Sequence, residues 1–224
     1  MRFIHEASSP EAIEAADDCS ASALLLPTVA AASGLRGLAR ARGMRAAIFV
    51  AVSPTDSGAL EAELDALGAD LPDGVLLADC RGRADLQRLS AKLAVREARA
   101  NRPEGAVGIL AMAGQSAAGV LALPDFSGGA RRLQGLAHDP YALAQAIGAD
   151  PAASTSDTAM SLAAFAAAAA NVPAYLALSP DQDPATLIRR CAQIRGAGFA
   201  GAILRTPAQF LAVREDHGMI DKRP

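Results

Sequence analysis

The chain has 224 residues, 51% hydrophobic and 20% charged, with a formal net charge of -3. That length suits one domain with a sizeable core, and the composition excludes intrinsic disorder. Acids and bases are interleaved rather than blocked, so nothing marks a surface for nucleic acid or an anionic membrane; small-molecule chemistry or protein partners remain. Cys19, Cys80 and Cys191 are odd in number and widely spaced, which fits neither a disulfide framework nor a paired zinc motif and points to a reducing cytoplasm. The first residues, Met1 to Glu6, lack the apolar core of a signal peptide, and no apolar run reaches the length of a membrane span.

In chain order, eight short apolar or β-branched runs alternate with segments of helical period. The expected strands are Arg2 to Ala7, Ala23 to Leu26, Arg45 to Val52, Gly74 to Asp79, Ala106 to Met112, Leu133 to His138, Ala174 to Leu178 and Gly201 to Arg205. A helix candidate follows each one. Ser9-Pro10, Asp139-Pro140, Asp183-Pro184 and Thr206-Pro207 mark helix starts, because a short polar side chain caps free N–H groups and proline at the first position loses no hydrogen bond. Gln209, three residues after Thr206, is placed to reach back to that cap. Leu86, Leu89 and Leu93 share one helical face, as do Leu187, Cys191 and Ile194, and Gly196 with Gly198 make a stop. The Ala-rich stretch from Ser161 to Ala170 reads as helix.

Strands apolar on both faces and separated by helices belong to a parallel sheet covered by helices. Eight such units predict an α/β protein, a compact single-domain (β/α)8 TIM barrel over residues 1–224, with an open doubly wound sheet as the alternative. No glycine-rich phosphate loop supports the alternative, since Gly196-Ala197-Gly198 precedes a strand rather than following one.

In such a barrel the chemistry sits after the strands. Pro72-Asp73-Gly74-Val75-Leu76-Leu77, Ser116-Ala117-Ala118-Gly119-Val120, Arg132-Leu133-Gln134-Gly135-Leu136 with Leu143 and Gly148, the Gly198-Phe199 turn and the closing Pro207-Ala208-Gln209 stand in order along the chain. Together they resemble the citrate lyase β-subunit (HpcH/HpaI-like) aldolase family, most specifically between Asp73 and Ala149 and more weakly over nearly the whole chain. The resemblance implies a Mg2+-dependent carbon–carbon lyase acting on a hydroxy-acyl thioester or a hydroxy oxo-acid, with the cation stabilising an enolate.

The departures from the family lie where its site is expected. Gln115 stands for a metal-binding glutamate and Ala142 for a metal-binding aspartate. Ala78-Asp79 replaces Pro-Lys, Ala51-Val52-Ser53 replaces a strand ending in a substrate-binding arginine, and Leu26-Pro27 replaces an acidic cluster. With Pro224 soon after the eighth helix, the lid segment that often completes sites of this family is not expected. No protein-held metal is therefore expected.

The candidate catalytic residues are Asp79, Gln115 and Asp139, and the candidate substrate-binding residues are Arg81, Ser116 and Arg205. All but Ser116 have a plainer structural reading: Asp79 as a loop residue capping near Gly82, Gln115 satisfying a tight turn, Asp139 capping the helix begun by Pro140, and Arg81 and Arg205 as exposed arginines. His138 reads as a core residue, and His5 and His217 show no ligand spacing. Cys80 lacks an activating base, and neither lysine, Lys92 or Lys222, stands at a strand end, which excludes Schiff-base aldolase chemistry. Two functions stay open. One is a silent barrel that binds a small anionic metabolite, an acyl thioester or a partner chain; the other is an active lyase with a rearranged site. A homo-oligomer or an assembly with a related subunit is expected in either case.

Overall fold

The computed structural model describes residues 1–19, 21–128 and 130–220, without the side chains of residues 31, 33 and 217–220. Eight parallel strands close into one barrel: β1 (Arg2–Glu6), β2 (Ala23–Leu26), β3 (Ala47–Val52), β4 (Gly74–Cys80), β5 (Gly108–Ala113), β6 (Leu133–His138), β7 (Ala174–Ala177) and β8 (Gly201–Leu204). Each pairs with its sequence neighbour, and β1 pairs with β8. The (β/α)8 expectation holds, and the doubly wound alternative is overturned by that β1–β8 closure.

The helices are α1 (Pro10–Asp18), α2 (Val29–Ala41), α3 (Leu60–Ala66), α4 (Arg83–Arg99), α5 (Ala117–Leu121), α6 (Pro140–Ile147), α7 (Ser154–Ala169), α8 (Pro184–Gly196) and α9 (Pro207–Ile220). Ser9, Asp139 and Asp183 cap their helices as expected, each side chain accepting from backbone N–H groups of the first turn. The strict one-helix alternation fails at two places among the described residues: a 3-10 turn at Leu123–Phe126 follows α5, and two helices, α6 and α7, lie between β6 and β7. Gly148, left-handed at φ 67°, ends α6, and Pro151 follows in the loop.

Side chains alternate across each strand, so the barrel has two apolar layers. The outer one packs strands against helices and takes in Leu86, Leu89 and Leu93 of α4 and Leu187, Cys191 and Ile194 of α8. The inner one fills the barrel with residues that include Ile4, Leu25, Phe49, Leu76, Met112, Ala137 and Ile203. All three cysteines are free. Among the described residues no helix is long and apolar enough to cross a membrane.

Candidate functional site

Counting by twos from the inner layer fixes what faces the barrel's C-terminal mouth. Ile4, Ala137 and Ile203 point inward, so Glu6, Asp139 and Arg205, two residues further on, do too. They meet. Arg205 Nη2 donates to Asp139 Oδ2 at 2.5 Å, and Arg205 Nε lies 3.8 Å from Glu6 Oε2. Asp139 Oδ1 accepts from the backbone N–H groups of Tyr141 and Ala142, each at 3.1 Å, so the carboxylate serves the start of α6 and Arg205 together.

Arg205 is held from behind by Gln209. The Gln209 amide reaches past the expected cap to accept from Arg205 N–H at 2.8 Å and donates to the Ser179 carbonyl at 2.6 Å. Two carboxylates therefore share one guanidinium, and burial, opposed by Arg205 and reinforced by Asp139, raises the Glu6 pKa above the usual carboxylate value. Sequence reasoning missed Glu6. The available signal was a carboxylate ending the first strand in phase with an inward isoleucine.

A second cluster joins the ends of β4 and β5. Ser116 Oγ donates to Asp79 Oδ1 at 2.9 Å while Arg81 Nη2 and Nε donate to Asp79 Oδ2 at 2.6 and 3.0 Å. Gln115 Oε1 accepts from the Asp79 N–H at 2.7 Å. Asp79 itself is left-handed at φ 40°, a conformation aspartate tolerates better than most residues and which a firm surround has to hold. Asp79 is thus tied across the β4–β5 gap and does not cap near Gly82; the Arg81 N–H goes instead to Asp85. The structure brings Asp79, Arg81, Gln115 and Ser116 into one cluster, and Asp139 with Arg205 and Glu6 into another.

His138 is out of phase with the inner layer. It is fully buried behind the mouth, with Nδ1 3.3 Å from the Ala113 carbonyl, and burial lowers its pKa. His5 stacks on Phe210 with ring centroids 4.1 Å apart, its pKa lowered by burial to about 4. The side chain of His217 and the whole of Lys222 lie outside the described residues. Burial pushes the Cys80 thiol up to about 12, leaving it a core residue rather than a nucleophile. Lys92 is on α4, paired with Glu61.

A divalent cation does not fit these residues. Ala142 offers only a methyl group, the Gln115 oxygen already accepts from Asp79, and Asp139 is engaged by a fixed positive charge that would repel a metal ion. Among the described residues no group of three or more His, Cys, Asp and Glu side chains could hold one.

No family model matches the chain, and no curated protein does. Solved structures do. A citrate lyase from Burkholderia xenovorans is 12% identical with a TM-score of 0.81, over 96% of this chain and 76% of that one. An HpcH/HpaI aldolase/citrate lyase family protein from Burkholderia cenocepacia is 14% identical with a TM-score of 0.76, over 100% and 95%. The CitE protein of Mycobacterium tuberculosis, in complex with magnesium, acetoacetate and coenzyme A, is 17% identical with a TM-score of 0.66, over 96% and 79%. The closed barrel and these structural neighbours agree with the resemblance read from the sequence: this chain has the fold of the citrate lyase β-subunit and HpcH/HpaI aldolase proteins.

Proposed function

We propose that this chain is a divergent member of the citrate lyase β-subunit/HpcH-HpaI aldolase family that has lost metal-dependent carbon–carbon cleavage, and that it binds a small anionic metabolite, an acyl thioester or a partner chain without turning it over. One observation carries the reading: Arg205 pairs with Asp139 at 2.5 Å on the side of the mouth where Ala142 stands in place of a ligand. Enolate-forming cleavage needs a concentrated positive charge at the reacting oxygens, and here Arg205 and Arg81 are each already paired with carboxylates. The magnesium, acetoacetate and coenzyme A held by the mycobacterial neighbour supply the ligand class, an anionic oxo-acid or a thioester. In this reading Arg205 and Arg81 contact the anion, with Ser116 and Gln115 as hydrogen-bonding groups around Asp79. The protein works in the cytoplasm, as a homo-oligomer or with a related subunit.

The test is calorimetric titration with Mg2+ and Mn2+, beside an assay for cleavage of hydroxy-acyl thioesters and hydroxy oxo-acids. Wild type is expected to show neither tight metal binding nor turnover. Gln115→Glu with Ala142→Asp, in an Arg205→Ala background, is expected to gain metal affinity. Stoichiometric metal binding by wild type would overturn the reading.

A second reading, an active lyase with a rearranged site of Asp79, Gln115, Asp139 and Arg205, is favoured by one feature. Burial raises the pKa of Glu6 beside Arg205, so the mouth holds a carboxyl that keeps its proton more readily than an ordinary one. Cleavage that survives a chelator and is lost in Glu6→Gln would select it.

A further inference from the structure

The other end of the barrel holds a cavity that neither function uses. The floor of a (β/α)8 barrel is ordinarily filled by large branched side chains from alternate strands. Here several inward positions at that level are glycine or alanine, and the larger residues lie flat over them. The Tyr175 ring covers Gly135 and Gly201, where an added Cβ would come within 2.9 Å of it; Phe49 covers Gly74, and the Gln134 amide covers Gly108. Ala23 on β2 and Ala47 on β3 carry only a methyl group at this level. A cavity of about 260 Å3 remains beside them, walled by Ile4, Phe49, Leu110 and the Tyr175 ring.

Its rim is polar. Arg2 and Gln134 stand at the opening, and among the described residues neither side chain, nor the Tyr175 hydroxyl, has a hydrogen-bond or ion-pair partner. A guanidinium, an amide and a phenol thus border an apolar hollow at the N-terminal ends of the strands, away from Arg205 and Asp79.

We propose that this floor cavity binds a small monocarboxylate with a compact apolar body, aromatic or short-chain aliphatic. The body rests on Ile4, Phe49 and Leu110; the carboxylate pairs with Arg2 and accepts from the Gln134 amide or the Tyr175 hydroxyl. The size is adequate, since an apolar cavity of about 150 Å3 takes up benzene. The charge on Arg2 distinguishes the acid from its neutral isostere.

The experiment is a titration of the 15N-labelled full chain with benzoate, hexanoate and benzyl alcohol, followed by amide chemical shifts. Saturable shifts are expected at Ala23, Ala47, Gln134 and Tyr175 with at least one of the acids, at a dissociation constant of about 1 mM or tighter. Asp79, Ser116, Asp139 and Arg205 are expected not to move. Arg2→Gln should weaken acid binding about tenfold and leave benzyl alcohol unaffected. Ala23→Leu, which fills the hollow, should abolish binding of all three. Circular dichroism checks its fold, and Ala47→Val fills the same space more gently should Ala23→Leu fail to fold. Absence of saturable shifts, shifts centred on the mouth, indifference of the acids to Arg2→Gln, or full binding in a folded filled variant would each overturn the proposal.

Discussion

Asp79 shows how one residue can hold a loop pair together. Its left-handed backbone is unfavourable, and its carboxylate compensates by accepting from Ser116 and Arg81. Asp79→Ala removes all three of these bonds, one from Ser116 and two from Arg81, and keeps the strained φ, so a loss of about 1–3 kcal/mol in urea denaturation is expected, with Asp79→Asn losing less. A result within error of wild type would mean the loop relaxes freely. His5 sets a pH dependence. Its folded pKa of about 4 lies below the ordinary 6.5, so the unfolded chain binds the extra proton. Its contribution is complete above about pH 6.5 and is lost as pH falls toward 4. Burial lowers the pKa of His138 as well, which acts in the same direction. His5→Phe is expected to flatten the acid limb of a plot of denaturation midpoint against pH; an unchanged limb would assign that limb to carboxylates.

At the scale of elements, the tie between α4 and the starts of β5 and β6 is electrostatic. Glu97, fully buried on α4, takes two hydrogen bonds from Arg132, at 2.6 and 2.7 Å, and accepts from Gly105 and Val107 N–H. Burial raises its pKa, but these bonds and the Arg132 charge outweigh it and hold the carboxyl below its ordinary value. Glu97→Ala leaves a buried guanidinium unpaired, and a loss of about 3–5 kcal/mol is expected in chemical denaturation. Arg36 on α2 is the opposite case. It is 3% exposed and donates only to the Leu67 carbonyl at the end of α3, with Nε and Nη1 unpartnered. Arg36→Met is therefore expected to be neutral or stabilising by the same measurement. The strands and most helices were legible because apolar period and capping residues are local signals; the expected bounds match the observed ones for β2 and β6 and differ by one or two residues at each affected end of the other strands. The division of the β6–β7 connection into α6 and α7 was not read as such, although its parts were: the start at Asp139-Pro140 and the Ala-rich helix were expected, and Gly148, the αL residue that ends α6, is the same kind of stop as that read at Gly196 and Gly198.

For the whole molecule, the outer face of α5 to α7 is the outstanding surface. Leu121 is 82% exposed and Phe165 70%, and no Lys or Arg occurs from Leu133 to Ile188. Apolar exposure of this kind favours burial against another chain, in keeping with the proposed assembly. Sedimentation is expected to show an oligomer that Leu121→Ser with Phe165→Glu shifts toward monomer; a wild-type monomer would remove this face from consideration.

The sequence by itself determined the barrel, because short strands apolar on both faces, alternating eight times with segments of 3.6-residue period, leave few topologies that bury every strand. It also determined that residue 142, an alanine, offers no donor oxygen and that residue 115, a glutamine, offers only an uncharged one. Only the tertiary structure decided which charged side chains meet at the mouth. Glu6, Asp139 and Arg205 are separated by up to 199 positions yet meet because barrel closure sets β8 beside β1 and turns alternate residues inward, and the floor cavity exists because Tyr175 lies across glycines of two other strands. Contacts of that kind depend on register between distant strands, which no local pattern carries.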